Sequence, residues 1–174
     1  MQVRFVASVS PIVDDLARAR HFYADVIGIG FEGGDEDYAF TERLEGVKHL
    51  GLWPLSAVAQ ACFGSETWPA DLPRPQASIE FEVDDVPAAA TELVEAGHRL
   101  LHGPRREPWG QTVARLLSEE GLVVAVCTTP HLREGLPLDP RIPETRVGNA
   151  RRGRQPVRAR PSSTREAGAR AGTR

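Results

Sequence analysis

A nine-residue pattern occurs twice in this chain, 70 positions apart, and that repeat limits the folds open to it. Ser8-Val9-Ser10-Pro11-Ile12-Val13-Asp14-Asp15-Leu16 aligns without a gap on Ser78-Ile79-Glu80-Phe81-Glu82-Val83-Asp84-Asp85-Val86. In the second copy Ile79, Phe81 and Val83 alternate with Ser78, Glu80 and Glu82. That period of two puts the apolar and polar sets on opposite faces of a strand. The Asp pair near the end of each copy offers a carboxylate to the free N–H groups of a helix start. Leu16, Ala19, Phe22, Tyr23 and Val26 then follow at helical spacing, as do Val86, Ala89, Ala90, Leu93 and Ala96. Gly28 and Gly97 come next, residues that tolerate the left-handed conformation of a helix end. The chain therefore reads as two copies of one unit.

The rest of each copy reads mainly as strands. The first copy has a strand over Arg4–Val13, a helix over Asp15–Ile27, and strands near Asp37–Thr41 and Val47–Trp53. Ser56 is expected to cap a short helix through Ala57–Cys62. Glu66–Pro75, with Pro69, Pro73 and Pro75, suits an extended linker. The second copy has a strand over Gln76–Val83, a helix over Val86–Ala96, and strands near Arg99–His102, Gln111–Leu117 and Leu122–Thr128. The fold class is thus α+β: two tandem β-α-β-β-β modules, at about residues 3–65 and 76–130. Placed edge to edge, they predict a curved, cup-like mixed sheet with helices outside and an inner face free to hold a ligand.

Charge divides the chain differently. Residues 1–140 hold 11 Lys and Arg against 22 Asp and Glu, a net of −11, whereas residues 141–174 hold 10 Arg against two Glu, a net of +8. The segment 131–174 is rich in Arg and Pro and poor in large apolar residues. It cannot offset its ordering entropy by burial, so it is expected to be disordered, with weak contact to polyanions as a possible role. Cys62 and Cys127, far apart in sequence, indicate neither a disulfide framework nor a Cys-rich metal site. No secretory leader or membrane-length apolar run is seen, so a cytoplasmic location is expected.

Val13-Asp14-Asp15-Leu16 with Ala19, Phe22-Tyr23 and Val26-Ile27-Gly28 resembles the vicinal oxygen chelate superfamily, which includes glyoxalase I, extradiol dioxygenases, and fosfomycin- and bleomycin-resistance proteins. Phe81-Glu82-Val83-Asp84-Asp85-Val86 with Gly97, Pro108-Trp109-Gly110-Gln111 and the turn Glu119-Glu120-Gly121-Leu122 carry the same resemblance. It spans about Val3–Thr129. Metal-binding members place His or Glu at inward positions of the first and last strands of each copy. The matching positions here are Ser8 and Ser78, and Ala125 where a Glu is usual. Hydroxyls and a methyl are poor ligands for a divalent cation. The resemblance thus implies the fold, while the residues argue against its shared metal site.

Alternation places Ser78, Glu80 and Glu82 toward the cup. Two carboxylates there need water, Lys48 or Arg115 as compensation. His49 lies in the expected last strand of the first copy, where a ligand contact or a structural role is open to it. Trp53 and Trp109 offer planar surfaces for stacking, Trp109 beside the loop that the resemblance sets at the cup mouth; Trp68 is as readily a pin for the linker. The candidate ligand-binding residues are His49, Trp53, Ser78, Glu80, Glu107, Trp109 and Arg115, with no metal or cofactor. The function expected is metal-independent binding of a small molecule by sequestration, in a homodimer. The alternative is a glyoxalase- or dioxygenase-like lyase or oxidoreductase with a non-standard site around His49, Glu80 and Glu107.

Overall fold

The structure is a computed structural model that describes residues 1–35 and 38–133, with residues 33–35 as backbone only. The expected disorder of the tail from residue 134 onward lies outside the described residues. Eight strands form one mixed sheet: β1 (Val3–Val13), β2 (Gly33–Asp35), β3 (Tyr38–Thr41), β4 (Leu50–Pro54), β5 (Ala77–Val83), β6 (Leu100–Arg106), β7 (Thr112–Leu117) and β8 (Val123–Thr128). Their order is β2-β3-β4-β1-β5-β8-β7-β6. Each copy is a β-α-β-β-β module, and the sheet is curved and unclosed. The modules join edge to edge along their first strands. β1 and β5 run antiparallel, with Ser8 opposite Glu80 and Ser10 opposite Ser78. This seam lies within one chain.

The repeat accounts for both helix starts. Asp15 accepts a hydrogen bond from the Arg18 N–H at 2.9 Å, and Asp85 accepts one from the Ala88 N–H at 2.9 Å. The preceding Asp of each pair takes an arginine instead: Asp14 pairs with Arg74, and Asp84 with Arg4 and Arg133. The two helices then diverge. In the second module α3 (Val86–Glu95) buries Val86, Ala89 and Ala90 against Val83, Ala114 and Val126 on the outer sheet face. In the first, α1 (Leu16–Arg20) passes into a π-helical stretch over His21–Val26. The wider turn, closed by the Ile27 N–H on the Phe22 carbonyl at 3.0 Å, breaks the 3.6-residue register. Phe22, Val26 and Ile27 end up exposed, and no residue of either stretch is buried, contrary to the expectation of one packed face.

The inner face is not bare. The helix α2 (Leu55–Phe63) sets Val58 and Cys62 against Ile12 and Val123, with Trp53, Trp68 and Leu117 around them. It starts directly after β4 with Pro54 at the cap position and no side-chain cap, so the expected role of Ser56 is not seen. Trp68 donates to the Pro73 carbonyl at 3.2 Å and packs edge-on against Phe63, pinning the linker. At the other end Ala7, Val113, Ala125 and Cys127 gather with Phe5 and Leu132, the last from a 3-10 turn over Pro130–Arg133. That turn carries ordered chain past Pro130. Between these two apolar ends runs a polar band.

Candidate functional site

Strand register builds the band. Ser8 faces Glu80, Glu80 faces Ala125, Ala125 faces Arg115, and Arg115 faces His102, forming one row across β1, β5, β8, β7 and β6. Ala125 is the small residue between Glu80 and Arg115. Arg115 has no exposed surface. Its Nη1 donates to Glu107 Oε1 at 2.6 Å and to His102 Nε2 at 3.1 Å, and its Nη2 lies 3.7 Å from Glu80 Oε1. The guanidinium lies over the Trp53 ring, 5.3 Å from its centroid, a cation–π contact in a dry setting. Arg115 Nε is buried with no hydrogen-bond partner among the described residues.

Gln111 extends the cluster. Its amide donates to Glu80 Oε2 at 2.8 Å and to the Thr129 hydroxyl at 3.1 Å, while its carbonyl accepts from Trp109 Nε1 at 3.0 Å. Of the sequence candidates, Trp53, Glu80, Glu107 and Arg115 thus converge, and Trp109 joins them through Gln111. Trp109 itself is 55% exposed. Ser78 is buried beside Ser10. Glu80 and Glu82 are buried and compensated rather than solvated, Glu80 by Gln111 and Arg115, Glu82 by Arg133 and two hydrogen bonds from the Thr129 N–H. Lys48, the other cation considered for this role, sits 5.5 Å over the Phe5 ring.

His49 belongs to a second cluster, on the first module. It precedes β4 instead of lying within a strand. Its Nε2 is 2.7 Å from the Tyr38 hydroxyl and its Nδ1 is 3.1 Å from Glu42 Oε1. Tyr38, Phe40 and His49 stack, and the Tyr38 hydroxyl also meets Ser10. Gly51 makes room for this: a Cβ there would come within 2.7 Å of Tyr38 Cζ and 3.0 Å of Ser10 Oγ, and closer still to Tyr38 Oη. Tyr38, Glu42, His102 and Gln111 were not among the candidate site residues of the sequence; Gln111 was read only as part of the Pro108–Gln111 loop. The signal for Tyr38 was the glycine opposite a strand aromatic, where a close approach replaces a side chain.

Three titratable groups take on fixed states. His102 donates from Nδ1 to the Gly103 carbonyl at 2.8 Å and accepts from Arg115 at Nε2, which is the neutral form. Burial first, then the Arg115 and Arg105 guanidinium groups, hold it below its ordinary 6.5, against the opposing pull of Gly103 and Glu107. A depressed histidine stabilises the fold fully above the unfolded value and loses that contribution as pH falls toward the folded one. Urea unfolding free energy should therefore decline from about pH 7 to about pH 5, and His102→Gln should flatten that slope. An unchanged slope would assign the decline elsewhere. Burial likewise pushes the Cys62 thiol up to about 11, and burial with Glu80 and Glu82 nearby raises Cys127. Both thiols should resist alkylation in the folded chain and react only after denaturant is added; reaction at native rates near those of a free thiol would contradict their burial.

The family metal positions hold two hydroxyls and a methyl, Ser8, Ser78 and Ala125, all buried. Among the described residues no three His, Cys, Asp or Glu side chains gather as a metal-ligand group. This donor set does not fit a divalent cation.

Residues 6–126 match the model of the Glyoxalase/Bleomycin resistance protein/Dioxygenase superfamily. A superfamily member from Vibrio splendidus 12B01 has a similar fold, with TM-score 0.51 and 15% identity over 74% of this chain and 100% of that one. A methylmalonyl-CoA epimerase from Streptomyces coelicolor, solved with 2-nitronate-propionyl-CoA, gives TM-score 0.48 and 19% identity over 74% of this chain and 99% of its own. No curated protein matches. No helix among the described residues is long and apolar enough to cross a membrane.

Proposed function

Since the chain belongs to the Glyoxalase/Bleomycin resistance protein/Dioxygenase superfamily, we propose that it binds a small molecule at the polar band of the inner face, with Arg115 supplying the fixed positive charge that metal-binding members obtain from an ion. The reading is carried by Arg115 Nε, a buried N–H donor without a partner among the described residues. Leaving such a donor unmade costs about 1–3 kcal/mol, so an acceptor presented there is favoured. Glu107 and Glu80 already neutralise the guanidinium. An added anion would meet their repulsion, and a neutral carbonyl oxygen would not. The ligand class is therefore a compact molecule with a neutral acceptor oxygen, held without a cofactor and without chemical change. Candidate contacts are Arg115, Trp53, Glu80, Glu107, Ser78 and Trp109, with His49 on the facing module. Sequestration in the cytoplasm is the role this reading assigns.

The test is a thermal-shift panel of small ketones and amides on wild type and Arg115→Lys. Lysine keeps a cation for Glu107 but has no N–H at the Nε position. Stabilisation seen in wild type and lost in the variant supports the reading; equal stabilisation of both removes it.

A homodimer is part of the same proposal. It is supported by Phe22, Val26 and Ile27, an exposed apolar strip on the helix of the first module. Light scattering at micromolar concentration should report about twice the 19.0 kDa chain mass. A monomer mass, unchanged by Val26→Asp, would exclude the dimer. The contact of the tail with polyanions is a further expectation and lies outside the described residues.

A further inference from the structure

Resting on the reading of the cup as a ligand site, we propose that Tyr38 is its second polar pole and determines specificity, and that His49 sets whether its hydroxyl donates into the cup or only accepts. The linkage is a continuous row: Ser8 Oγ lies 3.4 Å from Ser10 Oγ, Ser10 meets Tyr38 Oη, Tyr38 Oη is 2.7 Å from His49 Nε2, and His49 Nδ1 is 3.1 Å from Glu42 Oε1. The row leads from the seam between the modules to a partly exposed carboxylate.

Proton accounting along the row leaves two arrangements. Burial raises the Tyr38 hydroxyl above its ordinary 10, with Glu80 and Glu42 adding to the rise and Ser10 opposing it, so the residue stays a phenol with one proton to give. With His49 neutral, Nδ1–H faces the Glu42 carboxylate and the Nε2 lone pair takes the Tyr38 proton. Tyr38 then presents only lone pairs toward Ser10 and the cup, which suits a ligand hydroxyl. With His49 protonated, Nε2–H donates to Tyr38 Oη, and the phenolic proton turns toward the cup. That state suits a ligand acceptor oxygen. Binding a carbonyl ligand through Tyr38 therefore takes up one proton from solvent, which resides on His49, and no bond in the ligand is made or broken.

The groups that bear on His49 are few among the described residues. Glu42 faces Nδ1 and is shared with His131 Nε2 at 3.2 Å from the 3-10 turn; Tyr38 faces Nε2 from β3; Glu80 acts on Tyr38 from β5; Lys48 precedes His49 in the chain.

The test has two arms on the full chain. The first needs no ligand: histidine-selective ¹⁵N NMR, with His49→Gln for assignment, should show neutral His49 protonated at Nδ1 and bare at Nε2. A neutral form protonated at Nε2 would overturn the inference. The second uses acetophenone, which only accepts, and phenol, which also donates. Acetophenone affinity should fall about tenfold per pH unit above the pH at which the NMR spectra show His49 losing its second proton, and the phenol-to-acetophenone preference should rise in step. Tyr38→Phe should abolish the pH dependence while acetophenone binding stays sensitive to Arg115→Lys. Acetophenone binding that depends on Arg115 but is flat with pH in wild type overturns this inference and leaves the cup reading standing. Absence of binding by both probes at every pH overturns the cup reading, and the inference with it.

Discussion

Arg115→Met should destabilise the fold by about 3–5 kcal/mol, because it takes the buried guanidinium from between two buried carboxylates and leaves Glu107 only the longer 3.3 Å contact of the partly exposed Arg105 and Glu80 only the Gln111 amide. Glu107 would lose its 2.6 Å partner and Glu80 its nearest positive charge, both at 8% exposure. Methionine fills a similar volume, so the loss reports charge and hydrogen bonding more than a cavity. In a body of this size the melting temperature should fall by roughly 10–20 °C. Arg115→Lys, which keeps the charge and loses the planar fork, should lose less than half as much. Urea titrations of the three chains would decide it. A loss below about 1 kcal/mol for Arg115→Met would mean that the carboxylates find compensation elsewhere, and the assignment of Arg115 as the fixed cation of the cup would fall.

Arg133→Ala should produce the second largest loss, about 2–3 kcal/mol. Glu82 has no exposed surface and is held at one end of the inner face. It accepts from the Thr129 N–H at 2.9 and 3.0 Å and pairs with Arg133, which also donates to the Val83 carbonyl and to Asp84 at 3.2 Å. Removing Arg133 leaves a buried carboxylate with only the Thr129 N–H and the weak Cys127 thiol as donors. The Arg133 side chain is partly exposed, so water recovers some of the loss. Glu82→Gln in the same background should restore part of the stability by removing the stranded charge. A double variant as unstable as the two single losses combined would show that the pair is not coupled.

The repeat made the architecture legible before any coordinates. Asp15 and Asp85 were visible as helix caps, and the alternation in Ser78–Val83 assigned Glu80 and Glu82 to the inner face, because both signals are local and periodic. Arg115 was visible as one possible partner for those acids, but its geometry depends on strand register: Glu80, Ala125 and Arg115 share a row only once β5, β8 and β7 are paired. Tyr38 was missed because its place depends on the pairing of β3 with β4: Phe40 stands opposite Gly51, and the Tyr38 side chain reaches over that glycine from two residues away, which the glycine alone signals without naming the residue that fills the space. The covering of the inner face by α2 was missed for a related reason. Val58 and Cys62 read as an ordinary short apolar face, and nothing local tells which side of the sheet that face meets. The π-helical stretch escaped because Leu16, Ala19, Phe22 and Val26 satisfy helical spacing on paper, while the extra residue per turn rotates the last of them into solvent.

The most direct measurement of the central claim is calorimetric titration of acetophenone into chelator-treated protein, wild type beside Arg115→Lys, with and without added zinc or manganese. The account predicts binding by the chelator-treated wild type, no gain when metal is restored, and loss of binding in the variant. Binding that appears only after metal is restored, and that survives Arg115→Lys, would contradict it.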